Sequence, residues 1–261
     1  MDQSPVEISV DGAVCTITLC CPARRNAVDG PTATALRRAF EEFEGDDRLS
    51  VAVLAGSGGN FCSGADLSAL ADPERRNGIE SAGTGPGPMG PTRMPLDKPV
   101  IAAVSGYAVA GGLELALMCD MRVAGRSAVF GVFCRRWGVP LVDGGTVRLP
   151  RIVGHGRAMD MILTGRHVYA EEALQMGLAN RVVEDDAVLD AAQALARQIA
   201  RFPQRCLRAD RRSAYRQWDL PLAQALEEEG AGGYPVVFGE ALEGAARFVG
   251  GAGRNGRLDD E

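Results

Sequence analysis

One carboxylate stands by itself in an apolar run. Glu114 follows the pair Gly111-Gly112 and sits among Leu113, Leu115, Ala116 and Leu117. A carboxylate in such company is costly to desolvate unless something compensates it or it has chemical work. A place in the first turn of a helix offers partial compensation through the macrodipole. Burial raises its pKa and the dipole lowers it. Proton transfer near neutral pH is therefore one reading, and a structural helix cap is the other. A second segment with chemical potential is Gly56-Ser57-Gly58-Gly59-Asn60-Phe61-Cys62-Ser63-Gly64-Ala65-Asp66-Leu67. Glycines after a strand let a ligand approach the backbone closely. The Gly-Lys-Ser/Thr ending of a phosphate loop is missing, and no GxGxxG is present. What remains is a flexible turn, or a backbone N–H aimed at a developing negative charge.

Both segments need rigid neighbours. Val51-Ala52-Val53-Leu54-Ala55 reads as a strand leading into the glycine loop, and Pro99 to Val104 as a buried strand leading to a helix at 113–119. Upstream, 7–10 and 14–19 read as a hairpin turned at Asp11-Gly12, and 31–43 as a helix with Pro31 near its start. Short strands are expected at 123–124 and 128–130, and a helix-like run at 157–163. The alternation implies α/β layers. From Asp190 the pattern turns helical, at 191–201, 204–217, 222–229 and 240–249. The expected division is a core over 1–189 and a helical region over 190–261. Arg205, Arg208, Arg212 and Arg216 share one helical face, read as solvated or intersubunit, with a phosphate contact as the weaker option.

Composition narrows the function classes. The chain has 261 residues and a formal net charge of −6, which disfavours nucleic acid as a main partner. No apolar run reaches membrane-span length. Met1-Asp2-Gln3-Ser4-Pro5 lacks the basic and apolar regions of a signal peptide. Seven cysteines without a CxxC pair suggest reduced thiols, so the expectation is a cytoplasmic protein. His155 and His167 are the only histidines and have no ligand spacing, so no metal site is expected. A Ser-His-Asp hydrolase has little support.

Taken together, Phe61-Cys62-Ser63-Gly64-Ala65-Asp66 and Ala110-Gly111-Gly112-Leu113-Glu114 resemble the crotonase (enoyl-CoA hydratase/isomerase) superfamily. Arg25-Asn26-Ala27, Lys98 to Gly106, Phe130-Gly131, Gly144 to Pro150, Leu163-Thr164-Gly165, Glu172-Ala173 and Gly177 to Asn180 follow in the family's order. The resemblance implies a superhelix of strand-strand-helix turns with a helical C-terminal region that builds trimers or hexamers. It implies an acyl-CoA thioester as substrate and no cofactor beyond the coenzyme A that the substrate carries. By the matching motifs, the N–H groups of Ala65 and Gly111 would hold the thioester oxygen, and Glu114 would be the acid/base. Arg25, Ala27, Ala65, Asp66, Leu67 and Gly111 would contact the substrate.

The chain departs from the family at one point. Hydratases of this type place a second glutamate a few residues after the Phe-Gly pair, and here Cys134 stands in that place. It reads as inert packing, or as a thiolate favoured by Arg135 and Arg136. Asp143 is the other candidate for the second acidic group, against a simple Asx turn before Gly144-Gly145. The reading is a hydratase or isomerase acting through an enolate. The alternative is a catalytically weak CoA-binding or assembly protein of the same fold; RNA binding is disfavoured by the acidic balance. Finally, Asn77 to Thr92 carries five glycines and three prolines and reads as a mobile lid at the acyl end of the pocket, or as disorder.

Overall fold

The computed structural model describes residues 4–253. Its elements run β1 (Val6–Asp11), β2 (Val14–Leu19), α1 (Gly30–Gly45), β3 (Val51–Gly56), β4 (Val100–Val104), β5 (Tyr107–Val109), α2 (Gly111–Met118), β6 (Met121–Gly125), β7 (Val129–Gly131), α3 (Gly145–Val153) and α4 (His155–Thr164). There follow β8 (Val168–Tyr169), α5 (Ala170–Gln175), β9 (Arg181–Val183), α6 (Val188–Ala200), α7 (Gln204–Arg216), α8 (Leu222–Val237) and α9 (Glu240–Val249).

The strands form two sheets. The larger has the order β1-β2-β3-β4-β6-β9, antiparallel only at the β1–β2 hairpin. The smaller has the order β5-β7-β8. The chain steps from one sheet to the other inside each turn of the superhelix. After β4 only Ser105 and Gly106 intervene before β5. Gly106 makes that corner at φ +52°, and a Cβ on it would run into the Gly59 carbonyl. β6 and β7 repeat the step. Every residue of β4 is buried, as expected of a parallel strand covered on both faces.

α2 is buried along its whole length. A buried helix must satisfy its orphan carbonyls. Arg122 on β6 does this, donating to the carbonyls of Ala116 at 3.2 Å and Cys119 at 2.7 Å. α1 starts conventionally, with Asp29 accepting from the Thr32 N–H at 3.1 Å.

The chain divides into two compact units, one ending at Ile199 and the other beginning at Ala200. The expected boundary at 189/190 falls inside α6. Two residues of that helix reach back to the hairpin: Gln193 donates to Thr16 at 3.0 Å, and Arg197 pairs with Asp11 at 3.2 Å. In the second unit, α8 runs to Val237 rather than stopping at Glu229. Its glycines weaken the helix without breaking it, and Pro235 removes a single backbone bond. Among the described residues no helix is long and apolar enough to cross a membrane.

Candidate active site

The site begins with backbone conformation. Ala110 precedes α2 at φ +53°, ψ −125°, in the region that glycine normally occupies. Its N–H donates to the Gly131 carbonyl at 2.9 Å, which ties the bend to β7. Gly111 opens α2, so its N–H has no intrahelical acceptor and points out of the positive end of the helix. Gly112 lies against the Cys62 carbonyl, where any Cβ would collide.

The opposing donor comes from the glycine loop. Val28 and Ala65 form an isolated parallel bridge. In it the Val28 N–H bonds the Gly64 carbonyl and the Asp66 N–H bonds the Val28 carbonyl, both at 2.9 Å. That pairing turns the N–H of Ala65 to the side away from Val28. The two backbones touch: a Cβ on Gly64, at φ +98°, would lie 2.9 Å from the Ala110 Cβ and 3.0 Å from the Gly111 nitrogen. Residues 64–65 and 110–111 therefore meet with no side chain between them.

They meet at a cavity of about 460 Å³. Arg25, Ala65, Asp66, Leu67, Gly111, Glu114, Cys134 and Asp143 all line it. Ala27, the remaining expected contact, is buried and is not part of the lining. Asp66 is held in an ion cluster with Arg24 and with Arg75, at 3.1 Å from the latter, and this fixes the edge of the cavity.

Glu114 is 2 % exposed. Its Oε1 accepts two backbone hydrogen bonds, from Asp143 N–H and Gly145 N–H, each at 2.8 Å. Burial, reinforced by the nearby Asp143 charge, pushes its carboxyl up to about 7. Asp143 is also buried. Its Oδ1 accepts from the Met89 N–H at 2.9 Å and from the Thr92 hydroxyl. These partners lie far away in sequence, so the Asx turn is not what the side chain makes. Burial raises Asp143 as well, against the pull of its hydrogen bonds and of Arg93 and Arg148.

Cys134 sits in a 3-10 turn, Phe133–Trp137, and is buried. Burial and the Glu114 charge raise its thiol, and Arg135 opposes them more weakly. Both causes count against a thiolate, and the thiol forms part of the cavity wall. The glycine- and proline-rich segment also departs from expectation. Residues 87–92 are buried rather than forming part of a mobile flap. Only the first part, 78–86, is exposed, with Ile79 on the cavity.

The sequence profile of the family described as enoyl-CoA hydratase/isomerase matches residues 9–236. The chain belongs to that family, within the crotonase superfamily. A carnitinyl-CoA dehydratase of Salmonella arizonae is 37% identical over 252 residues, covering 94% of this chain and 95% of the relative. A solved enoyl-CoA hydratase of Mycobacterium marinum is 35% identical with a TM-score of 0.88, and the alignment covers 95% of this chain and 96% of that one. Another, from Mycobacterium tuberculosis H37Rv, is 36% identical with a TM-score of 0.89 and the same coverage. The protein is an enzyme of the enoyl-CoA hydratase/isomerase type.

Several residues that shape this enoyl-CoA hydratase/isomerase site are not among the expected site residues. Asn26 is fully buried at φ +56°. Its amide accepts from the Cys21 N–H at 2.9 Å and donates to the carbonyls of Ser57 at 2.9 Å and Asn60 at 2.7 Å, locking the glycine loop in place. Met89, Thr92 and Arg148 hold the turn that carries Asp143. Asn26 and Arg148 lie inside segments that follow the family's order, but nothing in the sequence ties Thr92 to Asp143 until the fold brings them together.

Proposed function

We propose that the protein is an acyl-CoA hydratase or double-bond isomerase that works through an enolate. The thioester oxygen lies between the N–H groups of Ala65 and Gly111, aided by the dipole of α2. Removing one such donor costs about 3–4 kcal/mol of transition-state stabilisation. Glu114 carries the proton, with Oε1 fixed by two backbone donors and its carboxyl facing the cavity. In hydration, water adds to C3 of a 2-enoyl thioester, Glu114 protonates C2, and Asp143 takes the proton that water gives up. In isomerisation, Glu114 alone moves a proton between C4 and C2. Neither route needs a cofactor beyond the coenzyme A of the substrate. The observation that carries this reading is the buried, near-neutral Glu114 beside two facing backbone donors. Relatives named as dehydratases and hydratases favour addition or loss of water over isomerisation.

A second reading is a CoA-ester-binding protein with little turnover. The neutral Cys134 thiol, in place of a second glutamate, favours it; the acidity of Glu114 opposes it. A panel of 2-enoyl, 3-enoyl and 3-hydroxyacyl-CoA esters decides, followed by thioester absorbance and product mass. Turnover of one class supports the first reading. Tight binding without turnover of any establishes the second. We further propose a closed trimer, or a hexamer of two trimers, acting in the cytoplasm. α8 and α9 expose Leu222, Leu226, Leu242 and Phe248 to solvent, an apolar surface suited to an assembly contact. A monomeric mass by light scattering at micromolar concentration would contradict it.

A further inference from the structure

Two carboxyl groups share the cavity wall, and they are held differently. Glu114 takes both its donors from backbone, the N–H groups of Asp143 and Gly145. Asp143 takes one backbone N–H, from Met89 at 2.9 Å, and one side-chain hydroxyl, from Thr92. Both carboxyls are buried. Burial makes it costly to ionise both, and the Asp143 charge adds to the cost for Glu114, so the group with the weaker set of stabilising contacts is the one that keeps a proton. Donors that stabilise the charged form decide which partner keeps the charge. With one backbone donor already matched on each side, the Thr92 hydroxyl stands against the second N–H on Glu114, and the Arg93 charge adds to the Asp143 side.

We propose that Thr92 is a positioning residue that keeps the negative charge on Asp143 and the proton on Glu114. Glu114 then meets the enolate as an acid. This rests on the acid/base reading of Glu114 given above.

The surroundings support a fixed contact. Thr92 is fully buried. Arg148 donates to the Asp143 carbonyl at 3.0 Å and to the Thr92 carbonyl at 2.7 Å, clamping segment 87–92 onto the 143–145 turn. Gly87 packs flush against the Thr92 hydroxyl, where a Cβ would overlap it. Other charged and titratable groups face the pair. Arg148 on α3 acts on both carboxyls and Arg93 on Asp143, while the Cys134 thiol faces Glu114. Arg25, Asp66, Arg136 and His167 line the same cavity. Among the described donors to the two carboxylates, the Thr92 hydroxyl belongs to a side chain that substitution can remove without altering backbone.

The test is a titration of carboxyl-labelled Asp and Glu by ¹³C NMR in the wild type, Thr92→Val and Thr92→Ser. In the wild type, Asp143 should ionise at lower pH than Glu114. In Thr92→Val the order should invert, with the Glu114 midpoint falling by about one pH unit, a tenfold change in its proton affinity. Thr92→Ser should restore the wild-type order. In turnover, Thr92→Val should lower kcat about tenfold and leave KM for the thioester nearly unchanged, the signature of an interaction made at the chemical step. An unmoved order in folded Thr92→Val overturns the proposal. If that variant does not fold, Thr92→Ala replaces it, and an order of ionisation left unmoved in folded Thr92→Ala overturns the proposal equally. Failure of the enzyme reading shows separately, as absent turnover of every thioester with the titration order intact.

Discussion

The two walls of the cavity are built on different principles. Residues 61–66 and 109–114 bring backbone to the cavity, and sterics fix them. Gly64, Gly111 and Gly112 each lie where a Cβ would meet a neighbour within about 3 Å or less. Residues 133–145 bring side chains, and there the environment fixes their properties. The Cys134 thiol is raised and neutral, and the Asp143 carboxyl is raised but held by distant donors. A backbone donor works whatever its neighbours' charge. A side-chain acid works only at the pH its neighbours allow. Glu114 joins the two, being carried on the first wall and hydrogen-bonded by the second.

The largest expected effect tests that junction. Glu114→Gln keeps the shape but not the proton, so turnover should fall by about 10²–10⁴-fold with thioester binding retained. Near-normal turnover in a folded variant would remove Glu114 from the mechanism and leave only the backbone wall in play. Next comes the pH dependence of stability. The Glu114 carboxyl rises from 4.5 to about 7 on folding, so the folded chain binds this proton more tightly than the unfolded one. The stabilisation is complete below about pH 4.5 and is lost as pH rises through about 7. The loss is about 3 kcal/mol, and Asp143 acts with the same sign. Denaturant melts of wild type and Glu114→Gln across this range should diverge, with the wild type losing more as pH rises; parallel curves would mean that Glu114 is not raised.

The glycine wall is tested by Gly64→Ala. At φ +98° and against Ala110, the added methyl should cost about 1–3 kcal/mol of stability. It should also lower kcat by pushing the two backbones apart. Unchanged melting and turnover would show that this wall tolerates a side chain after all. The smallest effect belongs to the second wall. Cys134→Ala should leave turnover close to wild type, because a neutral thiol supplies no base. Cys134→Glu should raise hydration of crotonyl-CoA above the parent. Alkylation of Cys134 that abolishes activity, and from which substrate protects, would make the thiol a participant.

What the sequence made legible follows the same division. The hairpin, the strands at 51–56 and 100–104 and the Gly-Gly-Leu-Glu helix start were readable, because periodicity and glycine placement are local. Glu114 stood out since nothing around it is polar. The fixing of residues 87–92 was not readable. Its glycines and prolines argue for looseness, whereas what settles it is one hydroxyl and one N–H bonding a carboxylate more than fifty residues away. Asp143 stood between a second acid and a turn residue for the same reason: Gly144-Gly145 beside it is a local pattern, and Met89 and Thr92 are not local. Cys134 was ambiguous because its two arginine neighbours in sequence matter less than the apolar wall and the Glu114 charge.

The backbone cradle of Glu114 has a consequence for how this site can change. The acid is oriented by the main-chain N–H of residues 143 and 145. At 145 a Cβ would lie 2.9 Å from Oε1 of Glu114, so a side chain there would push the acid out of its place. At 143 the cradle demands only that the residue not be proline, which has no N–H to give. The side chain there carries a separate duty, because its carboxylate anchors residues 87–92 through the Met89 N–H and the Thr92 hydroxyl. A library randomised at 143 should therefore keep the main-chain donor to Glu114 while its members divide by whether residues 87–92 stay anchored.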